Sequence, residues 1–217
     1  MLSKVADGSD RIPAWPKLTG VRTDTGRSEP WPGLSELDAA AFAAGLDALM
    51  GVYQAAMGVA AVQLPGRRAI MEAHAANPGF RALVVTAPPG TGAVIAFAYG
   101  FHGGSGQWWH DLVRSALVAR WGQGAATQWL DDSFEVAEVH VHPEYQRRGI
   151  GRRLLFRLTG GRAERTAVLS TMDTNSPARR LYRSLGFTDL LTGYRFSGAP
   201  VPYTVMGAVL PLLTTRS

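Results

Sequence analysis

Arg147, Arg148, Gly149, Gly151 and Arg152 sit where an alternating strand-like run, Glu135 to His142, passes through Pro143-Glu144-Tyr145 into an amphipathic helical run, Ile150 to Leu158. A loop that hands a strand to a helix presents several unpaired backbone N–H groups at the helix N-terminus, together carrying roughly half a positive charge. Such a terminus is a ready anion site. Glycine at 149 and 151 removes Cβ atoms that would keep a phosphate from those amides. Arginine at 147, 148 and 152 adds charge-assisted hydrogen bonds. The residues therefore suit a phosphate-bearing ligand, and the plain alternative is a helix start with glycine in its turn. Two familiar phosphate loops do not fit. A Walker loop ends in Gly-Lys-Ser/Thr, and no Gly-Lys pair occurs in the chain. The dinucleotide fingerprint needs a third glycine at 154, which is leucine.

Charge is concentrated around the same loop. Between Gln146 and Arg183 there are ten arginines against two acidic residues, Glu164 and Asp173. The whole chain carries 22 basic and 17 acidic residues, so outside this stretch the balance is acidic. A phosphate ligand or a nucleic acid would explain the cluster, as would solvated helix faces in a chain with only two lysines, Lys4 and Lys17.

The strand ahead of the loop holds side chains that titrate. Simple alternation puts Glu138, His140 and His142 on one face and Glu135, Ala137, Val139 and Val141 on the other. His140-x-His142 with Glu138 is also a spacing for metal ligands on a strand face, but a further ligand would have to converge from elsewhere, and no metal is expected. The absence of cysteine excludes disulfides, thiolate sites and cysteine nucleophiles.

Around these residues the pattern reads as one α+β domain. Residues 1–33, with Pro13, Pro16, Pro30 and Pro32 and no sustained period, read as an extended or partly disordered arm with a possible strand at Leu18–Thr23. From Leu37 to Met57 the apolar residues Phe42, Leu46, Leu49, Met50, Tyr53 and Met57 keep helical spacing, and a second helix covers Arg68–Ala76. Arg81–Ala87 and Ala93–Phe101 flank Pro88-Pro89-Gly90-Thr91-Gly92 as a hairpin. Trp108–Trp121 is helical, with Trp109, Leu112, Val113, Ala116 and Leu117 on one side. Thr166–Met172 is a strand, Pro177–Leu185 a helix capped by Gly186, and Phe187–Phe196 and Tyr203–Leu210 are closing strands. The domain is expected to span 34–217. With an apolar fraction of 46%, no signal-peptide core and no membrane-length apolar run, a cytoplasmic location is expected.

Val141-x-Pro143-x-x-Gln146-Arg147-Arg148-Gly149-Ile150-Gly151 resembles the acyl-CoA loop of the GNAT N-acetyltransferase superfamily, whose core is Gln/Arg-x-x-Gly-x-Gly/Ala. Asn175-x-x-Ala178-x-x-Leu181-Tyr182-x-x-Leu185-Gly186-Phe187 is similar to that family's second motif, at its usual distance. The resemblance runs from about residue 81 to 212, extends more weakly over 37–80, and does not reach 1–33. It implies a mixed, mostly antiparallel central sheet with helices on both faces, and strands that splay to admit pantetheine. It also implies acetyl-CoA as co-substrate. Val139, His140 and Val141 would offer backbone groups to pantetheine and the acetyl carbonyl. Gln146, Arg147, Arg148, Gly149, Ile150, Gly151 and Arg152 would surround the pyrophosphate, with Asn175 and Tyr182 along the thiol end.

The same resemblance implies roles in catalysis. Tyr182 matches the tyrosine that protonates the departing sulfur; the competing reading is a core tyrosine beside Leu181 and Leu185. The base is open among Glu135, which stands six residues before the valine, then Glu138, then His140. A bulge usual in the family's matching strand would shift the alternation described above. Gly103–Ser133, with Trp108, Trp109, His110, Trp121 and Trp129, departs from the family pattern; packing is the favoured reading and a wall of the acceptor pocket the other. The first family strand is poorly marked.

The expected function is acetyl transfer to a primary amine of a small molecule or peptide, by a monomer or homodimer. The net acidic remainder of the chain leans towards a cationic amine. The alternative is a non-catalytic acyl-CoA-binding sensor or accessory domain. A nucleic-acid partner is not expected, because no aromatic stacking platform is interleaved with the arginines, and neither is a membrane partner.

Overall fold

A computed structural model describes residues 33–90 and 92–213. The arm at 1–33, with the possible strand at Leu18–Thr23, lies outside the described residues apart from Gly33. Seven strands form one open sheet in the order β1-β2-β3-β4-β5-β7-β6. They are β1 (Leu34–Leu37), β2 (Arg81–Ala87), β3 (Ala93–Gly103), β4 (Ser133–Val141), β5 (Thr166–Met172), β6 (Thr188–Tyr194) and β7 (Tyr203–Val209). Every neighbouring pair is antiparallel except β4 and β5, which run parallel. The expected α+β class, mixed and mostly antiparallel with helices on both faces, is what the chain adopts.

One face is covered by α6 (Ile150–Thr159) and α7 (Pro177–Ser184). Leu154, Leu155, Leu158, Tyr182 and Leu185 pack there against Ala98, Phe134, Val136, Ala167 and Leu169. The other face carries two separate groups. α1 (Ala39–Ala44), α2 (Leu46–Met57) and α3 (Leu64–His74) cover β2 to β4, with Phe42, Leu46, Leu49 and Met71 against Phe97, Tyr99 and Phe101. α4 (Trp108–Trp121) and α5 (Gln123–Leu130) cover β5 to β7, with Val113, Leu117 and Leu130 against Val168, Leu190 and Val205. Part of the Trp-rich segment is therefore packing: Trp109 and Trp129 join this cluster, and Trp109 Nε1 donates to Ser170 Oγ at 3.2 Å, whereas Trp108 and Trp121 stay exposed.

Three sequence expectations need correction here. The helical run expected from Leu37 begins only after Asp38, whose carboxylate accepts from Ala41 N–H at 2.8 Å, and it breaks at Gly45 into α1 and α2. Leu37 instead closes the short edge strand β1, which pairs with β2. The helix expected from Arg68 starts earlier, at Leu64, with Pro65 in its first turn. α5 was not anticipated, because Gly124 and two alanines leave it little apolar stripe.

The helices that frame the loop have evident ends. α6 starts on Gly149, which is left-handed at φ 78°, and Arg81 Nη1 donates at 2.8 Å to the Gly160 carbonyl beyond its C-terminus. α7 starts on Ser176, whose hydroxyl accepts from Arg179 N–H, followed by Pro177. It stops with paired bonds from Gly186 N–H to the Arg183 carbonyl and from Phe187 N–H to the Tyr182 carbonyl. That is a Schellman stop, for which Gly186 supplies the positive φ of 94°.

Candidate active site

β4 and β5 pair only at Ser133–Thr166, Phe134–Ala167 and Glu135–Val168. Beyond that point β4 continues to Val141 and β5 to Met172, so the sheet opens into a wedge with Glu135 at its apex. Val139, His140 and Val141 are paired along their other edge, to Ala98, Phe97 and Ala96 of β3. Their free edge faces the gap.

A register shift between Tyr99 and Gly100 leaves Ala137 as an extra residue on β4. Cross-strand partners share a sheet face. Phe101, Tyr99 and Phe97 all belong to the core under α1–α3, so their partners Glu135, Glu138 and His140 face that side together. Strict alternation separated Glu135 from the other two; the bulge reunites them. All three are buried.

Their environments differ. His140 Nε2 shares a hydrogen bond with Glu138 Oε2, and Arg67 of α3 forms an ion pair with Glu138 Oε1. Burial, the largest single influence, pushes the Glu138 carboxyl up. The charge and hydrogen bond of His140, then Arg67 and His74, outweigh it, and the group lies below the ordinary carboxylate range. Glu135 has no such partners. Its Oε2 is buried without a hydrogen bond, and burial alone pushes the carboxyl up to about 8.

That contrast has a consequence for stability. An unfolded Glu loses its proton near pH 4.3, whereas folded Glu135 keeps it to about 8. Between those values the folded state holds the extra proton, so stability falls as pH rises, by about 1.4 kcal/mol per unit. Glu135→Gln removes this dependence. Its stability relative to wild type should grow by about 3 kcal/mol between about pH 5 and 7.5. Urea denaturation at a series of pH values reads the difference, and parallel curves would show that Glu135 ionises normally.

In the loop at the mouth of the wedge the two glycines stand in different surroundings. Gly149 begins α6 with no side-chain cap, so the N–H groups of Ile150 and Gly151 have no intrahelical acceptor. A Cβ on Gly149 would meet nothing within 4 Å, and Arg147 is also left-handed, at φ 59°. Gly151 is different: a Cβ there would stand 3.3 Å from Leu181 Cδ2, so its absence lets α7 approach α6. Ile150 is a buried anchor in the core under α6. Gln146 donates to the Val141 carbonyl at 3.0 Å. Arg148 donates to the Glu144 carbonyl and lies over the Tyr145 ring, while Arg152 donates to Ser184 Oγ at 2.7 Å.

Tyr182 lies on the α6–α7 side of the opened sheet, 9% exposed, beside Phe187. Burial first, and the Glu138 charge second, push its phenol up to about 12. The two groups thus feel each other although they belong to opposite faces. Asn175 is exposed in the turn before α7, and its carbonyl accepts from Arg180 at 2.6 Å.

Sequence reasoning missed Arg67 and Tyr53. Arg67 lies one residue before the helix that the spacing predicts from Arg68, and the same spacing reads Tyr53 only as part of a buried stripe. Tyr53 packs edge-on against His140, with ring centroids 5.1 Å apart. Among the described residues no group of three or more His, Asp or Glu side chains is placed to hold a metal ion. No helix among them is long and apolar enough to cross a membrane.

A family model for the acetyltransferase (GNAT) domain matches residues 105–189. The chain is 41% identical over 123 residues to the GCN5-like protein acetyltransferase Rv2170 of Mycobacterium tuberculosis, across 55% of this chain and 60% of that protein. Over residues 105–189 the chain matches the GNAT superfamily. A second relative, the N-alpha-acetyltransferase RimI of the same organism, is 42% identical over 69 residues, 30% of this chain and 44% of its own length. The alignments thus span 60% and 44% of these two curated relatives. The GNAT fold is shared with yncA from Salmonella typhimurium, solved with its cofactor acetyl-CoA, at a TM-score of 0.53 and 22% identity over 85% of this chain and 96% of that one. It is shared too with the ribosomal-protein-alanine N-acetyltransferase from Brucella melitensis, at 0.54 and 21% over 82% and 99%.

Proposed function

We propose that this protein transfers an acetyl group from acetyl-CoA directly to a primary amine of a small molecule or peptide. The observation that carries the reading is the wedge between β4 and β5, with an uncapped helix N-terminus at its mouth and proton-handling side chains on both of its faces. Acetyl-CoA fits that cradle. The open space at Gly149 leaves the N–H groups of Ile150 and Gly151 approachable by a pyrophosphate, with Arg147 and Arg148 adding charge. Val139, His140 and Val141 offer pantetheine the strand edge that β5 leaves open, where the Val141 carbonyl already accepts from Gln146, and Asn175 and Tyr182 would stand towards the thiol end.

In the reaction the amine nitrogen attacks the thioester carbonyl, the C–S bond breaks, and the products are an amide and the CoA thiol. The amine must lose a proton and the thiolate must gain one. The Glu138–His140 pair is the base we favour. A carboxylate held ionised by Arg67 and hydrogen-bonded to an imidazole can orient that imidazole and stabilise its protonated form. Glu135, protonated up to about pH 8, accepts no proton at neutral pH. Tyr182, protonated throughout, gives one to the sulfur.

Release of CoA thiol from acetyl-CoA across a panel of amines tests the function. Turnover with at least one amine is expected; acetyl-CoA binding without any turnover would favour the sensor reading instead. Gly149→Val tests the cradle. A β-branched residue at φ 78° is strained and projects a side chain towards the amides, so acetyl-CoA affinity should fall at least about tenfold with the fold retained. Unchanged affinity by calorimetry would remove the loop from the binding site.

A further inference from the structure

The face that carries Glu135, Glu138 and His140 is covered by two helix groups, with the wedge between them and aromatic rings on both banks. On one bank Tyr53 packs against His140. Strand pairing places the other. Glu135 pairs with Val168, Met172 stands four residues further along β5, and Met172 pairs with Tyr203 of β7. Along β4 from the same starting pair, with the extra Ala137 set aside, four residues lead to His140. Tyr203 therefore stands level with His140 across the wedge, and on the same face, because Val168 and Tyr203 share the core under α4 and α5. The banks are close: burial raises the Tyr53 phenol, and the charges that reach it are those of Arg67, Glu138 and, from across the wedge, Tyr203.

From Tyr203 the aromatic bank continues outward. Phe196, between β6 and β7, lies 5.5 Å from the Tyr203 ring, and Trp108 at the start of α4 lies 5.8 Å from Phe196. Phe196 is buried, yet Trp108 is 62% exposed. The other exposed tryptophan of that helix, Trp121, donates from Nε1 to the Leu190 carbonyl and lies against Arg120. Trp108 has neither tie. Among the described residues its only ring neighbour is Phe196, and its indole N–H makes no hydrogen bond.

We infer that the acceptor carries an aromatic group, which lies along Tyr203 and Trp108 while its amine reaches His140, so that Trp108 determines specificity. The inference rests on the acetyltransferase reading above and names the substrate class. Indole and phenol rings favour offset or edge-to-face contact with another aromatic ring beyond the area it buries. A second cation is disfavoured by the facing bank. Arg67 is 32% exposed there, whereas Glu138 is 6% exposed and held through both oxygens by Arg67 and His140. The acidic remainder of the chain, which leaned towards a cationic amine, therefore does not describe this cleft. Of the two readings of the Trp-rich segment, Trp109 and Trp129 take packing and Trp108 takes the acceptor wall.

The aromatic group could belong to a small arylalkylamine or to a side chain near a peptide N-terminus, and the test separates the two. Phenethylamine is compared with ethylamine and putrescine, and tripeptide amides with Phe or Trp second are compared with those carrying Ala or Lys there. In one series or the other the aromatic member should be preferred at least about tenfold in kcat/KM, chiefly through KM. Trp108→Ala should erase that preference while acetyl-CoA affinity is unchanged. Trp108→Phe should retain part of it and guards against a folding defect in the first variant. Trp121→Ala, at the far end of the same helix against β6, should keep all of it. An equilibrium arm titrates the CoA-saturated protein with the N-acetyl derivatives of the same amines. Equal binding of aromatic and small derivatives, a preference for the cationic members, or an aromatic preference that survives Trp108→Ala overturns the inference even where amines turn over. An aromatic preference in binding that Trp108→Ala removes, without turnover of any amine, leaves the Trp108 wall standing and removes the acetyltransferase reading.

Discussion

Glu138→Gln should lower turnover by about 10²- to 10⁴-fold, the range for losing a proton acceptor, with acetyl-CoA affinity nearly unchanged. The amide keeps the shape of the side chain and removes its charge. Two partners lose by this: His140, whose protonated form the carboxylate stabilises, and Arg67, whose Nη2 pairs with it. Leaving a partly buried arginine without its anion adds a stability cost of about 1–3 kcal/mol. The pH dependence has a definite sign. The folded carboxyl lies below its unfolded value, so its stabilising contribution is complete above the unfolded pKa and fades as acid protonates it. The variant should therefore be least stable relative to wild type at neutral pH and converge with it in acid. On the kinetic side, the low-pH limb of kcat/KM should shift or vanish in Glu138→Gln and persist in Glu135→Gln. The opposite pattern would move the base to Glu135.

The reason this assignment needed three-dimensional information lies in one residue. Ala137 looks like any small residue in a strand, and nothing in its type marks it as the extra residue of a bulge. Without the bulge, alternation puts Glu135 on the wrong side of the sheet, and distance along the chain becomes the only guide to the base. Arg67 was hidden for a related reason. It meets Glu138 through packing of α3 on β4, a contact between segments far apart in sequence, and no local pattern encodes it.

What was legible had local chemistry behind it. Trp108–Trp121 and Thr166–Met172 have the bounds read from the sequence, because periodicity and turn residues define both ends. The loop at Gly149 was readable because a left-handed helix start demands glycine. β1 was not readable: its four residues, Leu-Ser-Glu-Leu, gain their strand geometry only by pairing with β2. The packing role of Gly151 was not readable either, because its missing Cβ makes room for Leu181, a residue of another helix.

Tyr182→Phe should bind acetyl-CoA as wild type does and turn over about ten- to a thousand-fold more slowly, the range for a lost general acid. The ring remains, so its packing against Phe187 and the core under α6 and α7 is kept. Only the hydroxyl goes. Burial and the nearby Glu138 charge hold that hydroxyl protonated up to about pH 12, so its proton is available at every working pH and the defect should not vary across the neutral range. A phenol acts on the leaving thiolate, and the need for it shrinks as the thiol becomes a stronger acid. An acetyl donor with an aryl-thiol leaving group should therefore narrow the gap between variant and wild type, while Glu138→Gln should stay equally slow with both donors, because deprotonation of the amine does not depend on the thiol. A Tyr182→Phe defect of the same size with either donor would mean that the hydroxyl positions the thioester without protonating the sulfur, and wild-type turnover by the variant would leave Tyr182 a packing residue between α7 and the sheet.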